Sequence, residues 1–112
     1  MSESEYQSGD VMLVAFPFAE NKQAKLRPAI VVNTDLPEAL LVLFVTSQNT
    51  FSTAYDVALE PSQTNGLKVT SFARANRLTV VSTEHIARRI GTLTNEERGK
   101  VKAALEKVVR DF

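Results

Sequence analysis

Cysteine is absent from the 112-residue chain, which excludes a disulfide framework, a thiolate metal site and a cysteine nucleophile. Histidine occurs once, at His85, so a conventional zinc site would have to be built from carboxylates, against the usual ligand preference. Net charge is missing too. Thirteen basic side chains balance thirteen acidic ones, so the whole-domain positive excess typical of nucleic-acid binders is not there. A local basic groove survives that argument, because opposite charges can occupy different faces. The longest apolar run, Ala39 to Val45, is seven residues, far short of the roughly 20 that span a bilayer. The polar, acidic start Met1-Ser2-Glu3-Ser4-Glu5-Tyr6 is the opposite of a secretory signal. These absences lead to the expectation of a soluble, cytoplasmic protein with no membrane partner.

What is present is ordinary globular material, 44% apolar and 23% charged, in an amount that suits one compact domain. Residues 1–8 read as a short flexible tail and residues 9–112 as a single domain. Gly9-Asp10 opens the strand-forming run Val11 to Phe16, which stops at Pro17. Ala19 to Lys25 follows neither a helical nor a strand period and reads as a polar loop. Order resumes at Arg27-Pro28, with Ala29 to Asn33 as the next strand and Arg27 at the boundary of loop and sheet. The continuous apolar run through residues 40–46 predicts a strand buried on both sides. Asp56 to Leu59 reads as a short strand, Pro61 to Gly66 as a turn, residues 68–81 as one or two strands, and Arg88 to Leu93 as a last strand.

Thr94-Asn95-Glu96-Glu97 has the spacing of a capping box, and Val101, Ala104, Leu105, Val108 and Phe112 then mark one face of a C-terminal helix. Short strands followed by a helix argue for a mainly β, compact antiparallel barrel partly closed by that helix. At this length burial is adequate but not generous, so self-association is a natural expectation.

Three features can carry chemistry. Arg27 precedes a proline that stiffens the backbone, so its planar fork of donors could be aimed at a phosphate; a solvated surface arginine is the bland alternative. Thr46-Ser47-Gln48 follows the most apolar strand. Its hydroxyls could donate to phosphate oxygens or simply satisfy their own turn. Lys68, Arg74, Arg77, Arg88 and Arg89 face a single acidic residue, Glu84, in the same stretch, which makes a locally positive surface or a merely solvated one. His85 lies in a turn-like segment and is read as structural. Glu20, Asp56 and Glu60 show no paired-carboxylate pattern, and no glycine-rich phosphate loop is present.

Taken together, Gly9-Asp10-Val11, Val14-Ala15-Phe16, Arg27-Pro28-Ala29-Ile30-Val31-Val32 and Val45-Thr46-Ser47 resemble the MazF/PemK toxins of bacterial toxin–antitoxin systems. Gly66-Leu67, Ser71-Phe72-Ala73 and Ile86 to Leu93 extend the likeness over nearly the whole chain from Gly9. The resemblance implies an SH3-like small barrel with a C-terminal α-helix. It also implies an endoribonuclease, an mRNA interferase that cleaves single-stranded RNA at short sequences without a metal or other cofactor. Attack by the 2′-hydroxyl would leave a 2′,3′-cyclic phosphate and a 5′-hydroxyl.

The implied partners are mRNA, a second copy in a homodimer, and a cognate antitoxin of MazE-like or other type II kind. Arg27 and Thr46 correspond to the catalytic pair. Phe18, Lys25, Ser47, Gln48, Phe51, Ser71, Arg74 and Arg77 are the expected RNA-binding residues. Two positions depart from the family pattern. The loop before Arg27 reads Lys22-Gln23-Ala24-Lys25, with Glu20 the nearest acid, and Arg74-Ala75 stands where relatives often have Asp-Gln. A CcdB-like gyrase poison working through Val108 to Phe112, and an inactive SH3-like binding module, are the alternatives.

Overall fold

Alternation along the strands accounts for the architecture of the computed structural model, which describes residues 5–18, 21–48 and 52–112, and for 16–18 and 21–24 the backbone alone. β1 (Asp10–Phe18), β2 (Asn21–Asn33), β3 (Ala39–Thr46), β4 (Asp56–Leu59), β5 (Ser71–Ser82) and β6 (Ile86–Thr92) precede one helix, α1 (Asn95–Arg110). All the pairings are antiparallel, in the order β4-β5-β3-β2-β1-β6.

That order forces the sheet to curl. β5 and β6 stand four strand spacings apart, about 19 Å in a flat sheet. Only the 3₁₀ turn Thr83–His85 joins them, and such a turn advances about 2 Å per residue. The sheet therefore rolls until the end of β5 and the start of β6 come together. Val81 and Ile86, from those two strands, pack in one core with Met12, Val14, Ala29, Val31, Leu40 and Val42.

The opposite face holds a second core. Val11, Ile30, Leu43 and Val45 pack there with Leu59, Leu67, Ala73, Leu93 and Val101 of α1. Successive residues of β2 and β3 thus enter different cores, which is why the run through residues 40–46 is apolar without alternation. α1 begins where expected: the Thr94 side chain accepts from the Glu97 N–H at 3.1 Å, and the Glu97 carboxylate accepts from the Thr94 N–H at 2.9 Å. Among the described residues no helix is long and apolar enough to cross a membrane.

One expectation needs correction. The stretch before Arg27 is not a free loop. β1 runs on through Pro17 to Phe18, and β2 pairs with it from Asn21 onward, Lys25 facing Phe16 and Arg27 facing Val14. Cross-strand pairing overrides the polar composition there, and Arg27 sits inside a strand, not at its border. Residues 6–8 are also anchored. Tyr6 packs against the first core, that of Met12 and Val14, the Gln7 N–H donates to Asp10 Oδ2 at 3.0 Å, and the Ser8 hydroxyl donates to the Val32 carbonyl at 3.0 Å.

The Gly9-Asp10 opening has a structural reason. Gly9 has φ +94°, and a Cβ there would run into the Arg98 guanidinium, which itself bonds the Ser8 carbonyl. Asp10 is buried and takes Arg89 at 3.4 Å.

Candidate active site

Pro28 decides where the site opens. It has no N–H to give, and the β2–β3 ladder begins one residue later, at Ala29 opposite Phe44. Beyond that pair β2 and β3 have no ladder pairing: Arg27 is paired to Val14 of β1 and Thr46 to Phe72 of β5. Here lies a groove of about 660 Å³, the size of an ordinary ligand site. Arg27 and Thr46 both line it, together with Lys25, Ser47, Gln48 and Ser71.

The groove floor is apolar, with Leu13, Val45, Leu67 and Ile90, while its charged lining is entirely cationic among the described residues: Lys25, Arg27, Lys68 and Arg88. Four positive charges with no acid between them give the local field that the neutral total conceals. Lys25 and Arg27 are exposed, and neither has an acidic partner among the described residues.

Thr46 is held in a definite orientation. Its Oγ1 accepts from the Gln48 N–H at 3.0 Å, so the hydroxyl proton remains available for a ligand. The self-satisfied turn and the donor to a ligand are therefore compatible, because the oxygen serves one and the proton the other. The Ser71 hydroxyl donates to the Val69 carbonyl at 2.9 Å, which leaves its oxygen lone pairs for the groove.

Other residues stand elsewhere. Arg74 does not line the groove; its Nη2 donates to the Gln48 carbonyl at 3.0 Å and its Nη1 lies 3.9 Å from Asp56. Arg77 is exposed on β5 outside the lining, and Arg89 is drawn to Asp10. Phe18 ends β1, its backbone paired with Asn21, and Phe51 lies outside the described residues. His85 sits in the 3₁₀ turn, away from the groove lining.

Sequence reasoning did not select Lys68 and Arg88 as site residues, although both belong to the basic stretch it recognised. It also missed Leu26 and Val69, large apolar side chains that line the groove while 48% and 54% exposed. Gly66 closes one side: its φ is +74°, and a Cβ would strike the Ile90 backbone carbonyl. The turn can approach β6 that closely only with glycine at this position.

This curled sheet with a single C-terminal helix is the fold of MazF toxins. The structure of an endoribonuclease in complex with its cognate antitoxin, from a mycobacterial species, matches with a TM-score of 0.74 at 16% identity, covering 92% of this chain and 93% of that one. Mycobacterium tuberculosis toxin MazF-mt6 matches at 0.72 and 15% identity, covering 90% and 96%. The MazE–MazF complex of Deinococcus radiodurans matches at 0.75 and 14% identity, covering 94% and 96%.

No curated protein matches the chain in sequence. Residues 7–109 match the family described as PemK-like, MazF-like toxin of type II toxin-antitoxin system, and the chain belongs to that family.

Proposed function

We propose that the protein is a toxin that cleaves single-stranded RNA by attack of a ribose 2′-hydroxyl on the adjacent phosphodiester. The carrying observation is the meeting of Arg27 and Thr46, from different strands, in one groove with a wholly cationic charged lining. In the reaction the 2′-oxygen forms a bond to phosphorus and loses its proton, the bond to the 5′-oxygen breaks, and that oxygen gains a proton. The products are a 2′,3′-cyclic phosphate and a 5′-hydroxyl.

Charge builds on the two non-bridging oxygens, and Arg27 and the Thr46 hydroxyl donate to them there. Arginine keeps its proton in the usual pH range, so its work is electrostatic, not proton transfer. Lys25, Lys68 and Arg88 hold flanking phosphates, and the exposed sides of Leu26 and Val69 receive unstacked bases.

The same cationic groove suits an acidic antitoxin segment, in keeping with the family and with two related structures that contain an antitoxin. The cytoplasm, where mRNA is found, is the working compartment, and the active form is a homodimer. In the gyrase-poison alternative the pairing of Arg27 with Thr46 has no use.

The test is to incubate purified protein with RNA in chelator and map the new 5′-hydroxyl ends. Discrete ends at a short recurring sequence are expected, lost in Arg27→Ala. Ends bearing 5′-phosphate, or cleavage that needs an added divalent ion, overturn the reading.

A further inference from the structure

Gln48 is gripped at both ends of its own residue. Its N–H restrains the Thr46 hydroxyl oxygen at 3.0 Å, and its carbonyl accepts from Arg74 Nη2 at 3.0 Å. Arg74 comes from β5 and is no ordinary surface cation: its side chain is 12% exposed and its other terminal nitrogen lies 3.9 Å from Asp56 Oδ2. Asp56 is fixed in turn, accepting from the Thr53 N–H at 3.1 Å and from the Thr53 hydroxyl at 3.2 Å. The Ala75 N–H donates to the Tyr55 carbonyl at 3.1 Å and binds the same corner to β5.

A chain of polar contacts thus runs from the β4 edge of the sheet to the groove lip. It ends on the one hydroxyl whose proton the proposed reaction uses.

We propose that Arg74 is a positioning residue: by clamping the Gln48 carbonyl it fixes the Thr46-Ser47-Gln48 turn so that the Thr46 O–H points at the scissile phosphate. The proposal rests on the RNA-cleavage reading and deepens it. A guanidinium suits the task because its fork serves a carbonyl and a carboxylate with different nitrogens, while the charge strengthens the bond to the carbonyl. A lysine can occupy one of those directions well, not both. Releasing the clamp lets the turn drift, and displacements of about 1 Å at a reacting group cost on the order of 10²-fold in rate.

The experiment measures steady-state RNA cleavage by wild type, Arg74→Lys and Arg74→Met, each also in a Thr46→Ala background. Thermal unfolding and NMR amide exchange at Gln48 are read in parallel. Arg74→Met is expected to lower kcat about tenfold to a hundredfold with KM within about twofold. Arg74→Lys should fall between, and neither should change the residual rate of Thr46→Ala. Gln48 amide exchange should speed up at least about tenfold in Arg74→Met, because the turn opens more often.

A raised KM with unchanged kcat and a shallower salt dependence would instead make Arg74 a direct RNA contact and overturn the proposal. An equal loss in the Thr46→Ala background, or unchanged exchange at Gln48, overturns it as well. If Arg74→Met does not fold, the Lys variant carries the same comparison. If wild type itself does not cleave, the RNA reading fails, and exchange at Gln48 still decides whether the clamp exists.

Discussion

Two polar regions lie on either side of the Gly66-Leu67 segment and use their side chains in opposite ways. On one side Asn65 is completely buried. Its Oδ1 accepts from the N–H groups of Ser62 and Leu67 at 3.1 and 2.9 Å, and its Nδ2 donates to the Glu60 carbonyl and Glu97 Oε2 at 2.8 and 3.0 Å. One amide therefore ties the turn after β4 to the capping box of α1.

On the other side, Lys25, Arg27, Lys68 and Arg88 ring a groove, exposed and without acidic partners among the described residues. Polar groups that hold the fold are buried and paired internally. Cations that stay exposed and unpaired around a cavity hold nothing in the fold and are available to an anion.

The sharpest way to break this contrast is to substitute one residue from each region. Arg27→Ala is expected to lower cleavage about 10²–10³-fold, the loss typical of one preorganised donor, while stability moves by less than about 0.5 kcal/mol. Asn65→Ala is expected to do the reverse. It strips partners from buried and half-buried groups, Glu97 among the latter, at roughly 2–4 kcal/mol, which lowers the melting temperature by about 10 °C or more. Cleavage per folded molecule should stay within a few-fold at a temperature where the variant is folded. Calorimetry and a cleavage assay on both variants decide it. If the two proteins lose stability equally, the division fails.

Legibility in the sequence follows the same division only in part. α1 was readable because Thr94, Glu97 and the apolar spacing are local signals, complete within about four turns of chain. The two-sided burial of β3 was readable because its run lacks alternation. The Lys25–Arg27 segment was not recognised as strand, since its only support is a ladder with β1 and its own residues show no period. Asn65 was hidden inside an ordinary-looking turn, because nothing in Pro61 to Gly66 reveals that Glu97 will arrive beside it.

Of the proposed site, Arg27 and Thr46 stand out in the sequence by resemblance alone, and what the structure adds is that both line one groove. The basic stretch of residues 68–89 was visible as charge, but its partition was not: Lys68 and Arg88 to the groove, Arg74 to Gln48 and Asp56, Arg89 to Asp10. That partition depends on what each strand faces across the sheet.

A smaller effect sharpens the groove side of the comparison. If the four lining cations each neutralise a phosphate, the affinity for a non-cleavable 2′-O-methyl RNA should fall with log salt at a slope of roughly −3, given about 0.7 per contact on a single strand. Lys68→Ala and Arg88→Ala should each flatten that slope by about 0.7 and leave kcat nearly unchanged. Arg77→Ala, whose side chain does not line the groove, should leave the slope where it is. A salt titration by fluorescence anisotropy checks all three, and an unaltered slope in both lining variants would remove the groove cations from RNA binding.

The smallest effect concerns a third kind of polar contact, exposed yet paired. The Tyr55 hydroxyl donates to Asp111 Oδ2 at 2.9 Å, pinning the end of α1 beside the start of β4. That hydrogen bond, then burial and the nearby negative charge, raise the tyrosine pKa above its ordinary value of 10.0. A raised folded value means that the unfolded chain gives up this proton first. The contact therefore stabilises fully below the unfolded pKa and is lost as pH rises through the higher folded one. Wild type should show a late phenolate titration and an added loss of stability on the alkaline side of pH 10, both absent in Tyr55→Phe. Ultraviolet titration and urea midpoints at neutral and alkaline pH measure it. Because the pair lies outside the groove lining, cleavage at neutral pH should be the same in both proteins; a fall in Tyr55→Phe would mean that the helix end and the groove lip are coupled through Tyr55, whose carbonyl also accepts from the Ala75 N–H next to Arg74.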